Sequence, residues 1–301
     1  MNEASGYRCG TLALVGRPNV GKSTLLNAIV GAHLSITADK PQTTRHRILG
    51  VRTEPEGQLV LVDTPGLHRG GKRALNRQIN HAAQTALADV DVVVWLLDCT
   101  RIMAEDGWVE SLLKPLNKPL LIVFNKVDKL VDKARLFPLL TQYQERWPQS
   151  TIIPLSALKR DLGVERLVEA ALKLLPEQPP WFDADTLTDR PERFLAAEYV
   201  REQLIRRLGE ELPYATTVTI DRFITEGRLR RIDATIWVER DGQKAIVIGD
   251  AGGRLKEIGS HARKRMETQW DGKVFLTLWV KVKAGWSDSD TALAQLGYVE
   301  Q

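Results

Sequence analysis

Eight consecutive residues, Gly16-Arg17-Pro18-Asn19-Val20-Gly21-Lys22-Ser23, set two glycines, a cation and a hydroxyl at fixed spacing. The spacing is GxxxxGK[ST], a loop whose backbone N–H groups can wrap around phosphate oxygens. In such a loop Lys22 reaches the β- and γ-phosphates and the Ser23 hydroxyl can ligate Mg2+. The pattern carries meaning only between a strand and a helix. Here the apolar run Thr11-Leu12-Ala13-Leu14-Val15 precedes it, and Thr24-Leu25-Leu26-Asn27-Ala28-Ile29-Val30 follows. A helix starting there adds the positive end of its dipole to the phosphate site. A glycine turn that binds nothing is the bland alternative, and these flanks disfavour it.

Three more polar stretches each follow an apolar run. In Asp63-Thr64-Pro65-Gly66 the carboxylate can hold Mg2+ through water and the Gly66 N–H can meet a γ-phosphate. In Asn125-Lys126-Val127-Asp128, Asp128 can accept both hydrogen bonds that guanine donates from N1 and N2, and Lys126 can lie along the base. Adenine offers no such pair, so this carboxylate selects GTP over ATP. In Ser156-Ala157-Leu158 a backbone N–H can serve the guanine O6. Four motifs in this order, each after a strand, point to a guanine-nucleotide hydrolase using GTP, GDP and Mg2+. A threonine of the loop Lys40-Pro41-Gln42-Thr43-Thr44-Arg45-His46 is expected to complete the Mg2+ shell. Spacing does not separate Thr43 from Thr44, with Thr43 slightly preferred. Residues 66–76 form a second candidate switch. The candidate catalytic set is therefore Lys22, Thr43, Asp63 and Gly66, and the metal set Ser23, Thr43 and Asp63. Leu67 stands where many small GTPases carry a water-orienting glutamine. Unassisted hydrolysis should be slow unless another group, a potassium ion or a partner positions the water. Arg17 and Arg45 lie near the phosphates in sequence, and a surface role is expected of each.

The elements needed to hold these motifs are legible as apolar runs at 12–15, 59–62, 90–97, 120–124 and 152–155, with helical patterns between most of them. This alternation predicts an α/β domain with a mostly parallel sheet and helices on both faces. Residues 48–53 and 58–62 read as a hairpin adding one antiparallel edge strand. A chain of 301 residues exceeds one ordinary core. We expect a nucleotide domain over 8–176, a linker over 177–190 built on Pro176, Pro179 and Pro180, and an α+β domain over 191–301. Two cysteines are too few for a disulfide framework and suit a reducing, cytoplasmic setting. The start carries Glu3 and no apolar core, so no signal peptide is read there, and no apolar run is long enough for a bilayer.

In the second domain a helix is expected over 191–208 with Asp189 as N-cap, then strands over 216–225 and 229–239. The stretch Ala245-Ile246-Val247-Ile248-Gly249-Asp250-Ala251-Gly252 leads into a basic helix. A GxxG loop beside such a helix resembles a KH module, where the glycines let backbone approach single-stranded nucleic acid. Between residues 254 and 283 eight basic residues face three acidic ones. The RNA-binding candidates are Gly249, Gly252, Arg254, Lys256, Arg263, Lys264, Lys281 and Lys283. Asp250-Ala251 replaces the basic residue usual between the glycines, which shifts the expected affinity toward the flanking cations. Trp286, beside Lys283 and Gly285, is the tryptophan to watch as a stacking platform.

The combination of GRPNVGKST, QTTRHRI, DTPGLH, NKVD, VIGxxGxxLKxIG and the ending LWVKVKAGW resembles the Era family of ribosome-associated GTPases over essentially the whole chain. That resemblance implies a type II KH domain, binding near the 3′ end of 16S rRNA during maturation of the 30S ribosomal subunit, and peripheral contact with the inner membrane. A monomer is expected. The competing reading is a membrane-surface signalling GTPase whose basic C-terminal domain takes anionic lipid or a protein partner.

Overall fold

Apolar runs without alternation are the mark of strands covered on both faces, and the five such runs, with the edge segment Ile48–Glu54, build one sheet. The strands are β1 (Arg8–Val15), β2 (Ile48–Glu54), β3 (Gly57–Asp63), β4 (Val92–Asp98), β5 (Leu120–Asn125) and β6 (Thr151–Pro154). Their spatial order is β2-β3-β1-β4-β5-β6. All neighbours run parallel except β2, which pairs antiparallel with β3 across the turn at Pro55-Glu56. The structure, a computed structural model, describes residues 6–38, 45, 48–63, 87, 89–209 and 212–296, and these fall into two compact units.

In the first unit α1 (Lys22–Val30) and α4 (Leu162–Leu172) cover one face of the sheet. On the other, α2 (Ala104–Leu113) and α3 (Leu136–Arg146) contribute Val109, Leu113 and Tyr143 to a core with Ala13, Val15, Trp95, Leu97 and Phe124. Tyr143 meets the Phe124 ring edge-on at 5.1 Å and lies 5.6 Å from Trp95, an arrangement aromatic quadrupoles favour. This packing fixes the carboxyl ends of β4 and β5, where chemistry is expected. α4 starts at Leu162 because Asp161 caps it by accepting the Gly163 N–H at 3.1 Å.

Residues 176–188, which take in most of the proline-rich stretch 177–190 read as a linker, are bound along the first unit. The Pro176 carbonyl accepts from the Cys9 N–H at 3.1 Å, and the Gln178 N–H donates to the Tyr7 carbonyl at 3.1 Å. Buried Gln58 is the centre of this attachment. Its Oε1 accepts from the backbone of Trp181 at 2.9 Å and of Phe182 at 3.0 Å, and its Nε2 donates to the Phe182 carbonyl at 2.8 Å. Farther on, the Val51 N–H donates to the Leu187 carbonyl at 2.8 Å and the Thr188 hydroxyl to the Leu49 carbonyl at 2.6 Å.

The second unit begins with α5 (Glu192–Arg207), continues with β7 (Thr217–Glu226) and β8 (Leu229–Val238), then α6 (Asp241–Ile248), α7 (Gly253–Trp270), β9 (Lys273–Val282) and α8 (Asp290–Gln295). β8 is central, antiparallel to β7 and parallel to β9. The N-cap of α5 is Pro191, not Asp189; proline has no N–H to lose and its φ of −67° suits entry into a helix. Trp286 is fully buried, with its indole N–H 3.4 Å from the Ala215 carbonyl, so it serves the core and offers no stacking face.

Gln58→Ala should remove three attachments at once and leave the part-buried backbone groups of Trp181 and Phe182 unserved. Urea unfolding is expected to show a loss of about 2–3 kcal/mol. Limited proteolysis should then cut within 177–188, where the parent chain resists.

Candidate functional site

The phosphate-loop residues sit where β1 gives way to α1. A Cβ added at Gly16 would lie 2.6 Å from the Leu96 carbonyl oxygen, and one at Gly21 would fall onto Asn125 Nδ2. Gly21 also has φ +103°, so glycine is required there on both counts. Asn19 takes a left-handed φ of 63°, completing the curl, and Val20 is buried beneath it. Lys22 opens α1 with its side chain turned back into the loop, donating to the Gly16 carbonyl at 3.0 Å and the Arg17 carbonyl at 3.1 Å. Burial pushes its pKa down to about 8, with Asp63 opposing and the Arg17 charge assisting that shift. A cation so disposed is held ready for an anion.

Asp63 ends β3 fully buried, and its Oδ2 accepts from the Ser23 hydroxyl at 2.8 Å and the Ser35 hydroxyl at 2.7 Å. Ser35 is placed by Asn27 of α1, whose Oδ1 accepts from the N–H groups of Leu34 at 2.8 Å and Ser35 at 3.0 Å, and whose Nδ2 donates to the Ser35 carbonyl at 2.8 Å. Two hydroxyls and a carboxylate converging beside a phosphate loop form an all-oxygen donor set, which fits Mg2+. No cluster of three His, Cys, Asp or Glu side chains able to hold a metal occurs among the described residues. Mg2+ shared with phosphates and water needs none. Thr43, Thr44, Thr64, Pro65, Gly66 and Leu67 lie outside the described residues, and Thr24 follows Ser23 in the first turn of α1.

Asn125, at the end of β5 and buried, joins three loops. Its Nδ2 donates to the Val20 carbonyl at 2.8 Å, while its Oδ1 accepts from Lys126 N at 2.8 Å and Ala157 N at 3.0 Å. Asp128 stands exposed with Oδ1 held at 2.5 Å by the hydroxyl of buried Ser156. Asp161, which caps α4, also accepts from Ser156 N at 2.8 Å, so one carboxylate orders both helix and loop. Lys126 has φ +69° and its ammonium donates to the Asn19 carbonyl at 2.6 Å and to Asp98 at 2.7 Å. The structure thus brings together Gly16 to Ser23, Asp63, Asn125, Lys126, Asp128, Ser156 and Ala157.

The side chain of Arg17 is not a surface group. It is 11% exposed, with Nε on Asp106 at 3.1 Å and Nη2 on the Arg101 carbonyl at 2.9 Å. Only its backbone belongs to the phosphate loop. Arg45 is also buried: it groups with the second unit and donates to the Thr216 carbonyl at 2.9 Å. Asp98, Asp106, Asn27 and Ser35 were not singled out from sequence. Asp98 could have been, because it ends an apolar strand just as Asp63 does.

In the second unit the apolar run before the glycine loop is helical, forming α6. Gly249 (φ +70°), Ala251 (φ +47°) and Gly252 (φ +78°) then make a left-handed turn into α7. A Cβ on Gly249 would meet the Arg254 Cβ at 2.7 Å. Arg254 itself folds back to donate to the Ile246 carbonyl at 2.6 Å, serving the last turn of α6. Lys256, Arg263 and Lys264 are exposed on α7. Lys281, exposed on β9, lies 5.7 Å from the Trp237 ring centroid, and Lys283 follows the strand.

A GxxxxGKS loop, an NKxD loop and an all-oxygen corner of Ser23, Ser35 and Asp63 on a mostly parallel sheet, followed by a GxxG unit, define a P-loop GTPase carrying a KH module. Residues 11–126 match the family described as 50S ribosome-binding GTPase, and residues 211–287 match the KH domain. The chain is 55% identical to the GTPase Era of Stenotrophomonas maltophilia strain K279a, across 99% of this chain and 100% of that one. It is 56% identical to that of Xanthomonas axonopodis pv. citri strain 306, across 98% of each. A solved Aquifex aeolicus Era variant bound to GDP and aluminium fluoride superposes with a TM-score of 0.92 at 38% identity, covering 97% of this chain and all of that one. An Era solved with MgGDPNP and nucleotides 1506–1542 of 16S ribosomal RNA superposes equally well, at 38% identity and over 98% of this chain. The chain belongs to the Era family of GTPases.

The depressed pKa of Lys22 has a stability signature. With a folded value near 8 and an ordinary unfolded value, the unfolded state holds more protons between about pH 8 and 10.5. Stability of the nucleotide-free protein should therefore rise with pH through that window, by roughly 3 kcal/mol from this group. Urea unfolding at several pH values should show the rise, and Lys22→Met should remove it.

Proposed function

We propose that this GTPase is a nucleotide-controlled switch that binds the 3′ end of 16S rRNA and acts in the biogenesis of the 30S ribosomal subunit. The observation that carries the nucleotide half is the convergence on Asn125 of the phosphate loop, the Lys126 loop and the Ala157 loop. The RNA half is supported by likeness, over 98% of this chain, to an Era solved with a fragment of 16S rRNA.

In this reading the backbone from Gly16 to Thr24 wraps the phosphates and Lys22 turns from the loop carbonyls to the β- and γ-phosphates. Ser23, Thr43 and Asp63 would hold Mg2+, and Thr64, Pro65 and Gly66 would serve the γ-phosphate. Bound there, Mg2+ would neutralise charge between the β- and γ-phosphates. Asp128 takes the guanine N1 and N2 donors with its carboxylate already fixed by Ser156, and Ala157 offers its N–H to O6. On the RNA side Gly249 and Gly252 admit the sugar–phosphate backbone. Lys256, Arg263, Lys264, Lys281 and Lys283 supply charge, and Arg254 acts chiefly by holding the loop against α6. No helix among the described residues is long and apolar enough to cross a membrane. We infer a cytoplasmic monomer whose contact with the inner membrane is peripheral.

Asp128→Asn should weaken GTP binding by about two orders of magnitude, because one of the two guanine donors loses its acceptor and faces an amide N–H instead. The same variant should gain affinity for xanthosine triphosphate, whose base keeps the N1 donor but carries a carbonyl acceptor at position 2, the pair that a carboxamide matches. Equilibrium binding of the two nucleotides checks this, and unchanged GTP affinity would remove Asp128 from the base site.

For RNA the test is binding of a short strand copying the 3′ end of 16S rRNA, with GDP and with a non-hydrolysable GTP analogue, over a salt series. Preference for that strand should exceed that for an unrelated one, grow with the analogue, and fade with salt as phosphate contacts must. Gly249→Asp should reduce it by about tenfold or more, since the backbone can no longer approach. Equal binding of unrelated RNA, with retention on anionic vesicles insensitive to Gly249→Asp, would move the second unit to lipid.

A further inference from the structure

We infer that Asp98 is a positioning residue for the nucleotide: it fixes the Lys126 side chain in its working place and links it to the phosphate loop. The inference rests on the reading above that Lys126 lies along the guanine.

Asp98 is the last residue of β4, paired in register with Asn125, the residue before Lys126. Its side chain is 10% exposed and both oxygens are committed. Oδ1 accepts from the N–H of Thr100 at 3.0 Å and from its hydroxyl at 2.6 Å, which stops the carboxylate from rotating. Oδ2 is thereby aimed at the Lys126 ammonium, 2.7 Å away, and at Arg17 Nη2, 3.9 Å away. Burial alone would raise the Asp98 carboxyl, yet the hydrogen bonds from Lys126 and Thr100 outweigh it and hold the group below the usual carboxylate range.

The second partner of the ammonium gives the contact its meaning. Lys126 Nζ also reaches the Asn19 carbonyl at 2.6 Å, so the lysine stem spans from the base loop to the phosphate loop and is pinned there by a charge. A free lysine loses much rotamer freedom on being fixed. Asp98 imposes that order before any base arrives, and the stem becomes a standing rail. Arg17, on the other side of Oδ2, is anchored by Asp106 of α2. A single carboxylate thus faces one cation from each half of the nucleotide site.

The test uses the full chain and a fluorescent GDP followed by stopped flow. Asp98→Asn keeps the shape and the acceptor for Thr100 but drops the charge. It should speed GDP dissociation about tenfold, the effect of weakening one charge-assisted contact. In a Lys126→Met background the same change should alter dissociation by less than about twofold, since its target is gone. Thr100→Val, which keeps the charge but frees the carboxylate to rotate, should give an intermediate acceleration. It serves as the test if Asp98→Asn melts too low to measure. Asp98→Glu should recover part of the loss.

An undiminished effect of Asp98→Asn in the Lys126→Met background would overturn the proposal, because a fold defect ignores which partner is present. Wild-type dissociation in both Asp98→Asn and Thr100→Val would overturn it too. If Lys126→Met alone left GDP dissociation unchanged, the base-side reading itself would fall, and this proposal with it.

Discussion

The carboxamide of Asn125 is the contact on which the nucleotide site depends. Three loops from distant parts of the chain must meet within one base-and-phosphate length, and each would otherwise be free to drift. One planar group with a donor end and an acceptor end solves this, because it can serve a carbonyl on one side and two N–H groups on the other. The arrangement also explains Gly21. The loop passes so close over the carboxamide that no side chain fits between them. A buried amide satisfied on both ends rigidifies its surroundings, whereas a half-satisfied one would weaken them.

The charged groups form a second tier behind this contact. Asp63, Asp98, Asp106 and Asp161 each sit at a strand end or helix start, where backbone donors or cations are at hand. Asp106 accepts from the Met103 N–H at 2.8 Å at the start of α2 as well as from Arg17. Burial raises its carboxyl, and the Met103 N–H and Arg17 only partly offset that. The phosphate loop is therefore buttressed from outside by a group whose first duty is to cap a helix. In the second unit Arg254 has a similar double life, finishing α6 while bordering the glycine loop. Asp250 and Ala251 can stand where a basic residue is usual without loss of form, since the turn is set by Gly249, Gly252 and this guanidinium.

Much of this was legible in the residues alone. Buried parallel strands announce themselves as unbroken apolar runs, and polar motifs at their carboxyl ends then declare the site. The edge hairpin, the KH order of elements and the glycine loop followed from alternation and turn chemistry. What escaped were the groups whose roles depend on approach in three dimensions. Nothing adjacent to Asn27 or Ser35 says that they will meet at Asp63. Arg17 looks like a surface cation until α2 brings Asp106 against it. Trp286 has basic and glycine neighbours in sequence, yet the fold turns its ring inward. Asp189 has the right chemistry for an N-cap, but Pro191 stands closer to the helix and takes the position.

Residues 176–188 have one more consequence. β2 is one of the two outermost strands of the six-stranded sheet, and an outermost strand normally leaves a row of open N–H and C=O groups that any other extended chain can pair with. Leu187 and Thr188 occupy that row at Val51 and Leu49. The chain thus covers this edge of its own sheet against intermolecular β-addition. A fragment ending near Pro176 would keep the nucleotide loops but carry a bare edge, so self-association is built into any attempt to isolate it.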